Sequence, residues 1–193
     1  MKQFHSYAML ACAMLTGAVW SLAATAAQAG SGFVLTGRTP RTVSEAAATA
    51  AITTATPGKV SADRKTITFH QKAIRLVAVT GPEKDMLSYR VDGLRNPTLI
   101  VPRNATLKML FINADGDMFH NIRFGAWRAA YPAVADALLK NSVGTPPLPH
   151  GTETLHHAEE LTLRVPSKPG KYAYFCTVRG HAPGGMWGTV LVR

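Results

Sequence analysis

Eleven residues, Cys176-Thr177-Val178-Arg179-Gly180-His181-Ala182-Pro183-Gly184-Gly185-Met186, constrain this chain more than any other stretch. Four residues separate the thiol from the imidazole, and four more separate the imidazole from the thioether. Apolar, strand-like sequence lies on both sides, so the donors sit on a loop between two strands. A thiolate, an imidazole and a thioether together suit copper: a blue-copper centre takes two His nitrogens and one Cys sulfur in a plane, with Met as a weak axial ligand. The loop supplies three of these four donors, and a second histidine must come from elsewhere.

Strand periodicity supplies it. In His120-Asn121-Ile122-Arg123-Phe124 alternate residues face opposite ways, so His120 shares the inward face with Ile122 and Phe124 while Asn121 and Arg123 point outward. In Lys171-Tyr172-Ala173-Tyr174-Phe175-Cys176 the thiol shares a face with Tyr172 and Tyr174 at the end of an aromatic strand. The expected ligand set is therefore His120, Cys176, His181 and Met186. Each has a bland reading, because a buried Cys is usually a small hydrophobe, Met fills cores, and a His on an apolar face is usually a hydrogen-bonded core residue. It is the joint spacing and the strand context, together with the resemblance given below, that favour a metal. Zinc could use Cys and two His with a water in the fourth position, but no general base lies beside these ligands and Met suits copper better. Asn121 and the apolar shell of Phe119, Phe124, Tyr174, Phe175 and Trp187 are expected to tune the site. His70, His150, His156 and His157 are expected to face solvent.

The cysteine count depends on the amino terminus. Residues 1–29 begin with Lys2, run apolar from about Tyr7 to Ala24, and end Ala27-Gln28-Ala29, which reads as a secretory signal peptide with a small-residue cleavage site. An uncleaved membrane anchor is the competing reading. Cleavage removes Cys12 and leaves Cys176 as the only thiol of an exported chain, so no intrachain disulfide can form. It also removes Lys2 and takes the formal net charge from +10 to +9. That sign usually suggests nucleic acid or anionic membrane, yet the chain has no nucleic-acid motif and no basic amphipathic helix. An acidic protein partner or an acidic medium fits better, with simple solubility as the plain alternative.

Residues 30–193 read as one domain, with a linker and helix over 30–58 and a β-sandwich over 59–193. The polar stretch 30–41 reads as a mobile linker, and Thr42-Val43-Ser44-Glu45 fits a capping box opening a short Ala-rich helix to about Ala51. From Val60 onward, short β-branched and aromatic runs are broken at close intervals by Gly, Pro, Asn and Asp, the pattern of an all-β sandwich. Nine strands are predicted: Thr66–Phe69, Ala73–Val79, Leu87–Val91, Thr98–Val101, Thr106–Asn113, His120–Phe124, Glu160–Val165, Lys171–Cys176 and Thr189–Val192. Between 125 and 159 the pattern lapses, apart from two helical turns over Ala133–Lys140.

Several segments resemble the rusticyanins, within the cupredoxin superfamily: Asn96-Pro97-Thr98-Leu99-Ile100-Val101-Pro102, Phe111-Ile112-Asn113, His120, Tyr172-Ala173-Tyr174-Phe175-Cys176, Gly180-His181-Ala182 and Gly185-Met186. Gly58-Lys59-Val60-Ser61 and the hairpin after it are similar to the amino-terminal extension of that family. His120-Asn121 and the Gly-Met-Trp ending are similar to the sulfocyanins, the nearest rival. The resemblance implies a Greek-key β-sandwich of two sheets with one type 1 copper per chain. It further implies a periplasmic monomer that passes single electrons between respiratory-chain partners such as a c-type cytochrome, with iron oxidation the typical setting. It also implies that the edge of His181 is exposed among Ala182, Pro183, Gly184 and Gly185. Asn121 stands where the family has Ser, which puts the redox potential in question. Copper delivery or storage, and a mononuclear metalloenzyme, are the functional alternatives to an electron carrier that is not an enzyme.

Overall fold

A computed structural model describes residues 32–133 and 136–193, so the expected signal peptide lies outside the described residues. In chain order the elements are β1 (Val34–Ser44), α1 (Glu45–Ile52), β2 (Lys59–Val60), β3 (Thr66–Thr68), β4 (Ala73–Thr80), β5 (Tyr89–Val91), β6 (Leu94–Arg95), β7 (Thr98–Val101) and β8 (Thr106–Asn113). They continue with β9 (Arg123–Ala126), α2 (Asp136–Leu139), β10 (Ser142–Gly144), β11 (Leu155–Arg164), β12 (Gly170–Phe175) and β13 (Trp187–Val192). A six-stranded sheet has the order β1-β11-β8-β4-β5-β6, and a seven-stranded sheet the order β10-β9-β12-β13-β7-β3-β2. Both are mixed: β4 runs parallel to β8, and β7 runs parallel to both β3 and β13. Among the described residues no helix is long and apolar enough to cross a membrane.

Side-chain alternation explains how the sheets stack. In β8, Leu107, Met109 and Phe111 point into the space between the sheets, where Ile67, Leu99, Phe124, Tyr174 and Val190 meet them from the other side. The opposite face of β8 begins with exposed Lys108 and then turns apolar at Leu110 and Ile112. That second apolar patch is covered by α1: Ala48 packs with Val77, Leu110, Ile112 and Ala158, with Val43, Ala51 and Ile52 at the margin. Burial of each large apolar side chain is worth roughly 1.5–3 kcal/mol before the loss of conformational freedom is set against it.

The stretch expected to be a mobile linker forms β1 instead, paired antiparallel with β11 from Val34 opposite Arg164 to Ser44 opposite Leu155. Its side chains are mostly exposed, so no hydrophobic alternation marks it. What orders it is the backbone ladder to β11, together with an ion pair from Arg38 to the buried Glu159. Pro40, Arg38 and Arg41 on this edge strand discourage further strand addition. The cap of α1 is Ser44, whose Oγ accepts from the Ala47 amide, rather than Thr42, which still belongs to the strand. The lapse predicted after residue 125 is also shorter than expected. β11 begins at Leu155, and β10 adds a further short strand opposite β9.

Candidate metal centre

The Cys176–Met186 loop joins β12 to β13 and is closed by its own backbone. The Cys176 amide donates to the Met186 carbonyl (3.1 Å), the Met186 amide to the His181 carbonyl (3.0 Å), and the Gly184 amide to the Gly180 carbonyl (3.0 Å). Gly185 makes the return turn at φ +109°, a conformation that a side chain would strain. At the root of the loop, Gly188 lies so close beneath the Tyr174 ring that a Cβ there would stand 2.2 Å from it. Tyr174 is thereby free to seat its hydroxyl on the Pro97 carbonyl (2.8 Å).

His120 is not in a strand run. It lies just before β9, tied by a two-way backbone bridge to Leu148: the Leu148 amide donates to the His120 carbonyl at 2.8 Å and the His120 amide to the Leu148 carbonyl at 3.2 Å. Asn113 at the end of β8 anchors the intervening loop, with its Nδ2 within 2.9 Å of the Met118 carbonyl and 2.8 Å of the Pro149 carbonyl.

The structure brings the four expected residues together. His120 Nδ1 lies 3.2 Å from His181 Nδ1 and 3.1 Å from Met186 Sδ, and Cys176 Sγ lies 3.5 Å from His181 Nδ1. The ligand atoms of His120, Cys176 and His181 all lie within 4.8 Å of one another. His120, Cys176 and Met186 are fully buried, and His181 keeps 8 % of its surface exposed. His120 Nε2 is 3.1 Å from Asp115 Oδ2, so that nitrogen carries the proton and donates it to the carboxylate, leaving the Nδ1 lone pair turned inward.

Protonation follows from these surroundings. Burial pushes the Cys176 thiol up to about 11, against the backbone amides of Asn121 and Val178 and the Tyr89 hydroxyl, which favour the thiolate. Burial, and then the neighbouring His120, push His181 down to about 4. Burial also lowers His120, with Asp115 acting the other way. Burial would raise Asp115, but hydrogen bonds from the Asp117 and Met118 amides and from His120 outweigh it and hold the carboxyl below its ordinary value. Two neutral imidazoles thus aim their lone pairs at a thiol and a thioether, an arrangement that repels itself until a cation sits among the donors. The chemistry of this set fits copper, with a soft thiolate and thioether for Cu(I) and two imidazoles for Cu(II).

Asn121 differs from expectation. It is fully buried rather than outward-facing, because the chain has not yet entered β9 and its alternation does not apply. Its Nδ2 donates to Thr177 Oγ1 and its Oδ1 accepts from the Thr177 amide, both at 2.7 Å. The side chain therefore clamps the residue after Cys176 to the residue after His120. Tyr89, also fully buried, donates its hydroxyl to the Asn121 carbonyl at 2.5 Å. Burial, and next the adjacent Cys176, hold that phenol well above its ordinary value.

Of the expected shell, Phe124 and Tyr174 share the ligands' cluster. Phe119 does not: it is 49 % exposed, its ring edge-on to His150. Phe175 and Trp187 turn to the outer face of their sheet, where both rings lie 5.3 Å from Tyr131, because they alternate with Cys176 and Met186 along the strands. His156 is buried rather than solvent-facing, with Nε2 2.7 Å from Glu45 Oε2 on α1, whereas His70 and His150 are exposed. Of the residues beside Cys176 and His120, Asp115, Tyr89 and Thr177 escaped the sequence reading. Only Asp115-Gly116-Asp117 carried a signal, that of a turn.

Two stacked mixed sheets with a His, Cys, His and Met cluster at one end define a cupredoxin with the donor set of a type 1 copper centre. No family model matches the chain. Among curated proteins it is 31 % identical to rusticyanin of Acidithiobacillus ferridurans over 181 residues, 91 % of this chain and 92 % of the relative, and equally similar to rusticyanin of Acidithiobacillus ferrooxidans. Its fold superimposes on that of reduced rusticyanin with a TM-score of 0.69 at 25 % identity, over 80 % of this chain and 100 % of that one. It also superimposes on rusticyanin from Thiobacillus ferrooxidans with a TM-score of 0.69 at 26 % identity, over 80 % and 97 %. The chain belongs to the rusticyanin family.

Proposed function

We propose that this chain is an exported electron carrier whose single copper is held by His120, Cys176, His181 and Met186. It would shuttle electrons between respiratory-chain partners such as a c-type cytochrome, with iron oxidation as the setting that the family suggests. The observation that carries this reading is the convergence of two inward Nδ1 atoms, a thiol and a thioether in a buried pocket, each within 3.1–3.5 Å of at least one other donor. Bound there, copper supplies a one-electron couple between Cu(II) and Cu(I).

The chain's own residues would do the rest. The backbone-closed loop and the Asn121 clamp hold the donors in one geometry, so little has to move when the charge changes. Asp115 holds the His120 tautomer. Three of the four donors are fully buried, which hinders access by a substrate, while the slightly exposed His181 edge suffices for an electron. Pro183 and Gly184 beside it are exposed and small, whereas Ala182 is buried with Phe175 and Tyr131. A small flat rim of this kind suits brief redox encounters.

Residues 30–193 loaded with Cu(II) are expected to show an intense blue charge-transfer band, and Cys176→Ser is expected to abolish it. A colourless wild-type product after loading would sink the reading.

A further inference from the structure

Beside the ligand loop lies an open groove of about 610 Å³ whose walls come from three distant parts of the chain. Arg64 and Lys65, at the turn between β2 and β3, form one side. Arg95, at the end of β6, forms another, and Gly185 and Trp187 form the floor. No carboxylate lines it. The Arg95 guanidinium is fixed by a two-pronged pair with Asp85 at 2.7 and 2.8 Å. Arg64 and Lys65 are exposed, and among the described residues neither has a carboxylate within ion-pair distance, although Asp63 is a sequence neighbour.

The cationic turn is held in place. The Thr98 amide donates to the Lys65 carbonyl at 2.8 Å. Asn96, between Arg95 and the floor, donates from Nδ2 to the Gly185 carbonyl at 2.9 Å and accepts the Tyr89 amide at Oδ1. The groove is thereby fastened to the loop that carries His181 and Met186, with Gly185 adjacent to Met186.

We infer that this groove docks the acidic surface of a redox protein partner, with Arg64 and Lys65 pairing its carboxylates and Trp187 giving an apolar contact. The inference rests on the electron-carrier reading above. Among the described residues Arg64 and Lys65 are exposed cations with no ion-pair partner, and on a chain of net charge +10 they complement a negative patch. Arg and Trp are the residue types enriched at such contacts, and fixed charges of one sign raise encounter rates with an opposite partner by about 10–1000-fold. Docking there brings the partner against Gly185 of the ligand loop, the residue before Met186.

The test uses copper-loaded protein mixed rapidly with reduced cytochrome b5, whose surface is acidic, and separately with reduced cytochrome c, whose surface is basic. One electron passes from ferrous haem to Cu(II) in each case, with no proton required. Exchange with cytochrome b5 is expected to fall about tenfold or more in Arg64→Glu/Lys65→Glu and by an intermediate factor in Arg64→Asn/Lys65→Gln. Its salt dependence is expected to flatten, while exchange with cytochrome c does not fall. In metal-free protein, hexaglutamate should shift the amide resonances of Gly185 and Trp187, and the charge reversal should remove those shifts. Unchanged cytochrome b5 exchange in the charge-reversed protein, or no hexaglutamate shifts in the wild type, overturns the docking inference. Failure of both cytochromes to reduce the wild type overturns the carrier reading, and the docking inference with it.

Discussion

Asn121 acts as a two-headed clamp on Thr177. Its two 2.7 Å bonds to Thr177 are both buried, so removing the amide strands a backbone N–H and a hydroxyl away from water. Asn121→Ala is expected to cost about 2–4 kcal/mol, read as a lowered urea midpoint of the metal-free protein, where copper cannot mask the loss. A change below about 1 kcal/mol would show that the clamp is slack. The clamp was not legible in the sequence. Period-two alternation assigned Asn121 outward, and that rule holds only within a strand, whereas the chain here is still in the loop held by Asn113 and Leu148. The four donors were legible because their chemistry is rare and their spacing survives whatever the backbone does between them.

At the scale of elements, α1 roofs the outer face of the first sheet, with Val43 of the edge strand β1 at its margin. The helix covers Val77, Leu110 and Ile112, and the Glu45–His156 contact fastens it to β11. A chain beginning at Thr56 is expected to lose at least about 3 kcal/mol of stability from the exposed apolar face and to self-associate through it, seen as a lower urea midpoint and earlier elution on gel filtration. An unshifted midpoint with monomeric elution would remove the roof from the account. The helix was legible from its Ala run, but the strand before it was not. β1 is exposed on most of its length and draws its order from backbone bonds to β11, which leave no periodic trace in side-chain type. Strands with both faces or one face in the core, β7 and β8 above all, matched their predicted ranges for the opposite reason.

For the molecule as a whole, two carboxylates distant from the metal donors set opposing trends with pH. Asp85 is held well below its ordinary range, chiefly by hydrogen bonds from Arg95 and then Arg90, so its contribution is present above the unfolded value near ~4 and is lost as pH falls further. Asp92 is pushed up to about 6 by burial, against the Val77 amide that it accepts. Between about 6 and ~4 the folded chain therefore binds a proton that the unfolded chain does not, and stability rises as pH falls. Asp92→Asn keeps the acceptor and suits the positive φ of 46°. The variant should be more stable than wild type at pH 7 by up to about 3 kcal/mol, with the gap closing by about pH 4, in urea titrations of the copper-loaded protein. An equal gap at both ends of that range would discard Asp92 as the cause.

The backbone bonds that shut the Cys176–Met186 loop bear on the order of assembly. The loop's rungs are drawn by its own peptide groups and its fourth donor is pinned by Leu148 and Asp115, so the bonds that place the donors do not pass through an ion. Folding and loading then become separate events. An unloaded molecule would keep its shape and wait for metal, and the supply of copper, rather than the folding of the chain, would govern how quickly working molecules accumulate.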